Sequence, residues 1–291
     1  MDMVPFDDRD GFIWMNGAFS PWRETKVHVL THGLHYGSAV FEGERAYSGE
    51  IFKSLEHSER LHNSARILGF DIPFSVEQIE DAKREALARS GLDSAYVRAI
   101  AWRGSEMMGV SAQNNRINLA IAVWEWGDYF ADKMKGIRMT HAQWKRPSPE
   151  TAPCDSKAAG LYMICTLSKH AAELAGYADA LMLDWRGQVA EATGANVFFV
   201  RDGAIHTPTP DCFLNGITRR TIIGLAEARQ MEVIERAIMP DELPTFSECF
   251  ITGTAAELTP VAEIADVSYK PSALTETLIH DYDRLVNRKA P

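Results

Sequence analysis

The spacing of apolar residues in the first half of the chain predicts short strands followed by two helices. Apolar side chains fall along one face over residues 55–68, as in an amphipathic helix. A second helix over 75–90 begins with Ser75 as its N-cap and ends at Gly91. Apolar runs bounded by turn signals predict strands at 12–15, 26–30, 38–47, 50–53, 95–102 and 117–124.

The second half mixes helices and strands in an irregular order. Charged, Gly- and Pro-containing sequence surrounds a strand candidate at 137–142. Helices are predicted at 159–175 and 218–228, and strands at 178–184, 197–201, 204–206, 232–237 and 249–252. This order does not suit a doubly wound sheet and predicts an α+β fold. We expect an N-terminal α/β domain over 1–128, a linker over 129–136 and a C-terminal α/β domain over 137–291.

Composition narrows the class of protein. The chain has 291 residues, of which 46% are hydrophobic and 24% charged, as in a globular protein. A net charge of -10 argues against nucleic acid or an anionic membrane as partner. The acidic N-terminus has no apolar core of a secretory signal, and no run approaches the ~20 apolar residues of a membrane span. Its four cysteines are scattered without metal-ligand spacing, which predicts reduced thiols in a cytoplasmic protein and no metal site.

One lysine and one glutamate stand in small-residue surroundings that suit a cofactor. Lys157 opens a run of small residues, and Glu191 precedes a turn of small residues. Either residue alone is most often a solvated surface group. Two turns rich in backbone N–H donors follow, at 215–218, where Thr218 is a candidate N-cap, and at 252–257. An amine for a Schiff base, an acid for a pyridinium nitrogen and a phosphate cradle together indicate a pyridoxal-phosphate enzyme.

Other residues are candidates for binding the substrate. Arg60 and Arg98 are possible anion clamps, and strand alternation places Tyr96 and Arg98 on one face. Aromatic residues are more often part of a core than of a pocket, but several suit a pocket wall, namely Tyr36, Phe41, Trp124, Trp126, Tyr129 and Tyr162. A GxGxxG or GxxxxGK[ST] motif is absent from the sequence, so a Rossmann or P-loop interpretation has no support.

The order and spacing of these blocks resemble a fold-type IV pyridoxal-phosphate enzyme and, within that group, a branched-chain amino acid aminotransferase. The resemblance extends over nearly the whole chain. Besides the blocks above, it rests on His32-Gly33-Leu34-His35-Tyr36-Gly37, Phe41-Glu42-Gly43, Arg60-Leu61-His62-Asn63-Ser64-Ala65, Ser94-Ala95-Tyr96-Val97-Arg98, Met108-Gly109-Val110 and Trp126-Gly127.

The resemblance implies a cofactor site. Lys157 would be the Schiff-base lysine and would move the proton between substrate and cofactor. The remaining cofactor contacts would be Glu191 at the pyridine nitrogen, Arg60, Ile217, Thr218 and Thr254 at the phosphate, Tyr162 at the phenolic oxygen and Leu214 against the ring.

The resemblance also implies a substrate site. Tyr96, Arg98 and the Thr254-Ala255 backbone would receive carboxylates. The side-chain pocket would be formed by Tyr36, Phe41, Trp126, Tyr129 and, from a neighbouring subunit, Val110. The family implies a homodimer or larger assembly, with its active site in the interdomain cleft of a two-domain D-amino acid aminotransferase-like fold.

Three positions depart from the family pattern. A second carboxylate is missing at Ala195, Asn215 replaces the usual proline, and Glu44 replaces an apolar residue. We expect Glu44 near the pocket entrance, where it would relax specificity for branched chains. Arg45 would either attract a carboxylate or pair with Glu44.

The function that follows is transfer of an amino group from a branched-chain or other hydrophobic L-amino acid to 2-oxoglutarate, in amino acid metabolism. The alternatives of the same fold are a D-amino acid transaminase, an (R)-amine transaminase and an aminodeoxychorismate lyase. A non-catalytic scaffold is a further alternative, disfavoured because both Lys157 and Glu191 are present.

Overall fold

A computed structural model describes residues 4–127 and 133–287 and divides them into two compact units. The first unit consists of 4–127 and 156–160, and the second of 133–155 and 161–287. The domain boundaries expected from the sequence stay predictions, and Tyr129 lies outside the described residues. Lys157 is predicted to lie in the C-terminal domain, but its segment belongs to the first unit because Ala158 pairs with Val40 of a strand there.

The first unit is an antiparallel sheet with two long helices. Its seven described strands are β1 Phe12–Met15, β2 Ala18–Pro21, β3 Ala39–Phe41, β4 Glu44–Tyr47, β5 Glu50–Ile51, β6 Ala95–Arg103 and β7 Ile117–Glu125. They pair in the order β2-β1-β7-β6-β4-β5, with β3 also on β6. Its helices are α1 His32–Tyr36, α2 Ser54–Ile67 and α3 Val76–Ser90, with a 3-10 turn at Trp22–Glu24.

The two faces of this sheet differ in character because side chains alternate along β6. Val97, Ala99 and Ala101 are fully buried in the core that the sheet forms with α2 and α3. Tyr96 and Arg98 point to the opposite face, which we call the open face. The open face is therefore the one that can carry polar chemistry.

Local sequence signals explain most of these elements. Ser75 accepts a hydrogen bond from the Gln78 N–H in a capping box, and Gly91 ends α3 with φ 68°, so both predicted helix ends are confirmed. The strand predicted at 26–30 is wrong. Asn16 and Gly17 instead form a two-residue turn that pairs β1 directly with β2, and 26–30 is left without a strand partner.

The second unit is a mixed sheet with three helices among the described residues. Its strands are β8 Ile137–His141, β9 Asp179–Leu183, β10 Val189–Ala192, β11 Asn196–Arg201, β12 Ala204–Thr207, β13 Val233–Glu235, β14 Glu248–Gly253, β15 Glu257–Ile264 and β16 Val267–Ser268. They pair in the order β10-β9-β8-β15-β14-β11-β12-β13, with β16 on β15. The helices are α4 Met163–Leu174, α5 Ile217–Ala228 and α6 Ala273–Val286, with 3-10 turns at Lys133–Lys135 and Pro240–Thr245. A further 3-10 turn, Ala159–Tyr162, begins in the segment 156–160 of the first unit.

The second unit holds several elements that the apolar pattern does not reveal. Strands β10, β15 and β16 and helix α6 are absent from the predictions. Strand β15 lies in the middle of the sheet between β8 and β14, so it is buried on both faces and shows little alternation. Within the described residues, no helix is long and apolar enough to cross a membrane. All four cysteines are buried free thiols.

Candidate active site

The open face of the first unit brings an amine and a guanidinium to one aromatic ring. The Lys157 Nζ lies 5.1 Å from the centroid of the Phe41 ring, and the Arg98 Cζ lies 4.6 Å from the same centroid. Phe41 ends β3 opposite Ile100 of β6, which places it on the same face as Arg98. A primary amine and a guanidinium therefore share one wall.

The backbone around Lys157 is tied to helix α2. The Lys157 N–H donates to the Ser64 hydroxyl at 3.0 Å, and the Ser156 hydroxyl donates to the Ser64 carbonyl at 2.9 Å. The Phe41 N–H donates to the Lys157 carbonyl at 3.2 Å. These bonds fix where the Lys157 side chain begins, while the side chain itself stays half-buried.

Aromatic side chains line the rest of the open face. Tyr96 stacks on Trp124 with ring centroids 5.0 Å apart, and Trp126 lies 4.7 Å from Tyr96 on a tilted plane. An Arg98 N–H donates to the Tyr96 hydroxyl at 3.4 Å, so the predicted pairing of these two side chains on one face is confirmed. A Cβ at Gly43 would come within 1.9 Å of the Tyr96 hydroxyl, so only glycine allows Tyr96 this position.

Two predicted pocket residues are exposed in this chain. Tyr36 is 48% exposed and stacks on His32, and Val110 is 89% exposed. His32 bonds to the Gly109 carbonyl through Nε2 at 2.9 Å and contacts the Ser38 hydroxyl through Nδ1 at 2.6 Å. His32 therefore anchors the loop that presents Val110.

Arg60 lies on α2 with its guanidinium held by one buried carboxylate. Its Nε donates to Glu42 Oε1 at 2.7 Å and its Nη2 to Glu42 Oε2 at 2.8 Å. His57 Nδ1 lies 2.7 Å from the same Oε2. Burial opposes the charge of Glu42, but Arg60 and His57 outweigh it and lower its pKa well below the usual range. Glu42 is therefore a permanent anion at neutral pH.

Glu44 does not lie at a pocket entrance, and that expectation is wrong. Glu44 and Lys83 are both fully buried and form an ion pair at 2.8 Å between β4 and α3. Strand alternation turns the next residue, Arg45, to the open face, where it lies opposite Tyr96 and 4.9 Å from the Tyr47 ring centroid. An acidic residue replaces the usual apolar one at position 44 because Lys83 balances its charge within the helix-covered core.

In the second unit, Glu191 lies in β10 between a cation and an amide. Its Oε1 is 3.4 Å from Arg146 Nε, and its Oε2 accepts from Asn196 Nδ2 at 3.3 Å. Burial works against the charge of Arg146, but the nearby Glu191 carboxylate raises the pKa of Arg146 above its ordinary value. These contacts hold the Glu191 carboxylate in a defined orientation.

Asn196 also joins Glu191 to the first anion-binding turn. Its Nδ2 donates to the Leu214 carbonyl at 3.0 Å, and its Oδ1 accepts from the Gly216 N–H at 3.2 Å. A Cβ at Gly216 would lie 2.3 Å from Asn196 Oδ1, so this contact requires glycine. The turn at 214–216 and the Glu191 carboxylate are thus fixed to one side chain.

The turn at 214–216 leads into the N-terminus of α5. Thr218 is predicted as the N-cap, but Gly216 holds that position, and Ile217 and Thr218 are the first buried residues of the helix. The cap makes no side-chain hydrogen bond, so backbone N–H groups and the positive end of the helix dipole face outward. Asn215, which replaces the usual proline, accepts from the buried Arg219 at 3.0 Å.

The second predicted anion-binding turn, with Thr254 and Ala255, joins β14 to β15. It lies beside the Glu191 turn, because a Cβ at Gly253 would meet the Ala195 Cβ and the Gly194 carbonyl at 3.4 Å. The buried Thr252 hydroxyl has no hydrogen-bond partner in the part of the chain that the structure describes.

These donors fit pyridoxal phosphate within each unit. The first unit supplies a half-buried primary amine and an arginine, and the second supplies an oriented carboxylate, an uncapped helix N-terminus and an orphaned hydroxyl. Tyr162, at the N-cap of α4, and Leu214, before α5, are half-buried in the second unit.

For three residues that contact the candidate site residues, no role was predicted from the sequence, namely Glu42, Arg146 and Asn196. All three bond to candidate site residues that are distant in sequence. Glu42 and Asn196 belong to sequence blocks that carry the family resemblance, Glu42 next to Phe41 and Asn196 in the block of Glu191. Their place in these blocks could have indicated a role in the site. Arg146 had no such signal.

Comparison with known proteins identifies the family. The model of the family Amino-transferase class IV matches residues 39–264. The branched-chain-amino-acid aminotransferase of Pseudomonas aeruginosa is 41% identical over 263 residues, which cover 88% of this chain and 86% of that protein.

Solved structures agree with the sequence comparison. The T.th. branched-chain amino acid aminotransferase with pyridoxamine 5′-phosphate has a TM-score of 0.94 and 40% identity, covering 97% of this chain and 96% of the other. A structure of the same T.th. enzyme with N-(5′-phosphopyridoxyl)-L-glutamate has a TM-score of 0.93 and 39% identity over the same shares.

The chain belongs to the class IV aminotransferases, which are pyridoxal-phosphate enzymes of fold-type IV. Within that family its relatives are branched-chain-amino-acid aminotransferases. The predicted fold class, enzyme class and cofactor are thereby confirmed.

Proposed function

We propose that this chain transfers the amino group of a branched-chain or other hydrophobic L-amino acid to 2-oxoglutarate, with Lys157 as the Schiff-base lysine. One observation carries the proposal. The Lys157 amine and the Arg98 guanidinium lie next to the same aromatic ring, at 5.1 and 4.6 Å from the Phe41 ring centroid. An amine that reacts at an α-carbon needs a carboxylate-binding group nearby, and Arg98 supplies it.

The cofactor supplies an electron sink when the bond between the α-carbon and its hydrogen is broken. Lys157 would hold the cofactor through its amine and would carry the proton that leaves and returns to the substrate α-carbon. Glu191, oriented by Arg146 and Asn196, keeps the pyridine nitrogen protonated.

The phosphate contacts are assigned to Arg60, to the N-terminus of α5 through Ile217 and Thr218, and to Thr254. The N-terminus of α5 supports this assignment because its N-cap residue makes no side-chain hydrogen bond. Tyr162 is assigned to the phenolic oxygen and Leu214 to the ring.

The substrate contacts are assigned to the open face. Tyr96, Arg98 and the Thr254-Ala255 backbone receive carboxylates, and Phe41, Trp126 and Tyr36 form the walls of the side-chain pocket, together with Tyr129. The aromatic contacts of Tyr96 with Trp124 and Trp126 favour an apolar substrate side chain. The T.th. relative crystallised with a phosphopyridoxyl L-glutamate supports glutamate and 2-oxoglutarate as the second substrate pair.

A second copy of the chain is also part of the proposal. Val110 is 89% exposed and Leu34 66% exposed in one chain, which is unusual for apolar side chains at a pocket. Contact with a neighbouring copy would cover them and place Val110 beside its substrate. Light scattering of the purified protein should give the mass of a dimer or larger, and a monomer would contradict this part.

The function is tested with a panel of L-amino acids, D-amino acids and (R)-amines, each with 2-oxoglutarate. We expect L-leucine, L-isoleucine and L-valine to form glutamate, and Lys157→Ala to abolish this activity. Lys270→Ala, which removes an exposed lysine, is the matched control and should keep full activity. Release of pyruvate without a keto acid would indicate a lyase, and turnover by the Lys157→Ala variant would refute the assignment.

A further inference from the structure

Each residue of the segment Phe41-Glu42-Gly43 makes or allows a contact with a different part of the first unit. Phe41 lies under the Lys157 amine, and Gly43 leaves room for the Tyr96 hydroxyl. Between them the Glu42 N–H donates to the Ala99 carbonyl at 2.8 Å, while its carboxylate turns to α2. Glu42 is the member of this segment that the proposed chemistry does not use.

The Glu42 side chain is fully buried and bonds to a cationic and a cation-forming partner. Two parallel bonds join it to one edge of the Arg60 guanidinium, at 2.7 and 2.8 Å, and His57 lies 2.7 Å away. A buried carboxylate is costly unless its oxygens are bonded, so this geometry is maintained as a unit. The paired bonds fix the plane of the guanidinium as well as its position.

Orientation matters for Arg60 because its side chain has several rotatable bonds. An arginine that is free to rotate loses rotamer entropy when it binds an anion. A guanidinium already fixed by a buried partner has lost that freedom before the anion arrives. The Arg60 side chain is 16% exposed, so part of it stays accessible while Glu42 is fully covered.

We infer that Glu42 is a positioning residue for the cofactor phosphate. It holds Arg60 in the orientation in which the guanidinium receives the phosphate, and His57 completes the bonding of the Glu42 carboxylate. The inference rests on the proposed role of Arg60. It adds that Glu42 acts through Arg60 and does not itself contact the cofactor or the substrate.

The alternative is that Glu42 only stabilises the first unit. The two roles differ in their response to the cofactor's phosphate. Pyridoxal has the ring and aldehyde of the cofactor without the phosphate. A positioning residue for the phosphate affects binding of pyridoxal phosphate alone, whereas a purely structural residue affects both compounds.

The experiment measures dissociation constants of pyridoxal phosphate and pyridoxal for the apoenzyme by absorbance titration. The variants are Glu42→Gln, Arg60→Lys and the double variant. The control is Glu263→Gln, which alters a similar two-bond pair with Arg138, at 2.9 and 3.1 Å, in the second unit. Light scattering and thermal unfolding show that each variant is folded and assembled like wild type.

We expect Glu42→Gln to weaken the binding of pyridoxal phosphate about tenfold or more, which is the range expected for the loss of charge-assisted hydrogen bonds. Pyridoxal binding should change less than about twofold, as should both compounds with the control variant. In the Arg60→Lys background, adding Glu42→Gln should change pyridoxal phosphate binding less than about twofold, because Glu42 acts through Arg60.

The inference would be overturned if Glu42→Gln weakened the binding of pyridoxal phosphate and of pyridoxal equally. It would also be overturned if the fold-changes of the two single variants in pyridoxal phosphate binding multiplied in the double variant. If Glu42→Gln does not fold, Glu42→Asp keeps the charge on a shorter side chain and should weaken the binding of pyridoxal phosphate but not of pyridoxal. Failure of the proposed function has a different signature, since wild type itself would then not bind pyridoxal phosphate on Lys157.

Discussion

The buried pair of Glu44 and Lys83 gives a quantitative test of how the first unit is held together. Both side chains are fully buried, with Lys83 Nζ 2.8 Å from Glu44 Oε2. Lys83 also donates to the Ser54 carbonyl and to Glu80, each at 3.2 Å. The other oxygen, Glu44 Oε1, has no hydrogen-bond partner among the residues described, and burial raises the pKa of Glu44 although Lys83 opposes this.

The magnitude follows from leaving one buried charge without its partner. Lys83→Met leaves the buried Glu44 carboxyl without its cation, at a cost of about 3–5 kcal/mol. Glu44→Leu leaves the Lys83 ammonium with Glu80 and the Ser54 carbonyl alone, and should cost about 3 kcal/mol, the lower end of that range. Replacing both side chains by apolar ones of similar volume is often neutral or stabilising. At about 2–4 °C per kcal/mol, each single variant should lower the Tm by roughly 10 °C.

The assay is thermal unfolding followed by circular dichroism, at one protein concentration and one cofactor concentration. The double variant should regain most of the Tm lost in either single variant. Arg84→Met is the matched control on α3, because its partner Asp81 is 72% exposed, and it should change stability by less than about 1 kcal/mol. The kcat/KM for L-leucine in the folded double variant should equal that of wild type, because Glu44 faces the helices.

Two results would refute this reasoning. Losses of Tm that add in the double variant would show that Glu44 and Lys83 are not energetically paired. A changed preference among amino acids in that variant would show that Glu44 reaches the substrate after all.

Three further predictions concern other parts of the chain. Gly216→Ala forces a Cβ to 2.3 Å from Asn196 Oδ1, so it should destabilise the protein by about 1–3 kcal/mol and weaken cofactor binding, as measured by unfolding and titration. The lowered pKa of Glu42 means that its stabilisation is present above its unfolded pKa and is lost on acidification. The Tm difference between wild type and Glu42→Gln should therefore shrink below about pH 5, and a constant difference would contradict this. Burial raises the pKa of Cys165 to about 11, so iodoacetamide at pH 8 should label this thiol only after unfolding, as read by mass spectrometry.

Local signals in the sequence predicted α3, because Ser75 and Gly91 set both of its ends. The hairpin of β1 with β2 at Asn16-Gly17 was not predicted. The strand expected at 26–30 failed because its apolar residues, Val29 among them at 68% exposure, do not face the core. An apolar run predicts burial only if a partner strand is available.

The candidate site divides in the same way. Lys157 and Glu191 were found through the family pattern, since each alone is an ordinary surface residue. The partners of the site residues depend on pairing in three dimensions. Arg146 reaches Glu191 and Lys83 reaches Glu44 across long stretches of sequence, so no local pattern shows either contact.

Lys157 is proposed to carry the cofactor. Borohydride reduction of the purified protein, followed by peptide mapping with mass spectrometry, tests this claim directly. We predict a pyridoxyl group on the peptide that contains Lys157, and none after the same treatment of Lys157→Ala. A pyridoxyl group on another lysine, or no fixed group in wild type, would contradict the claim.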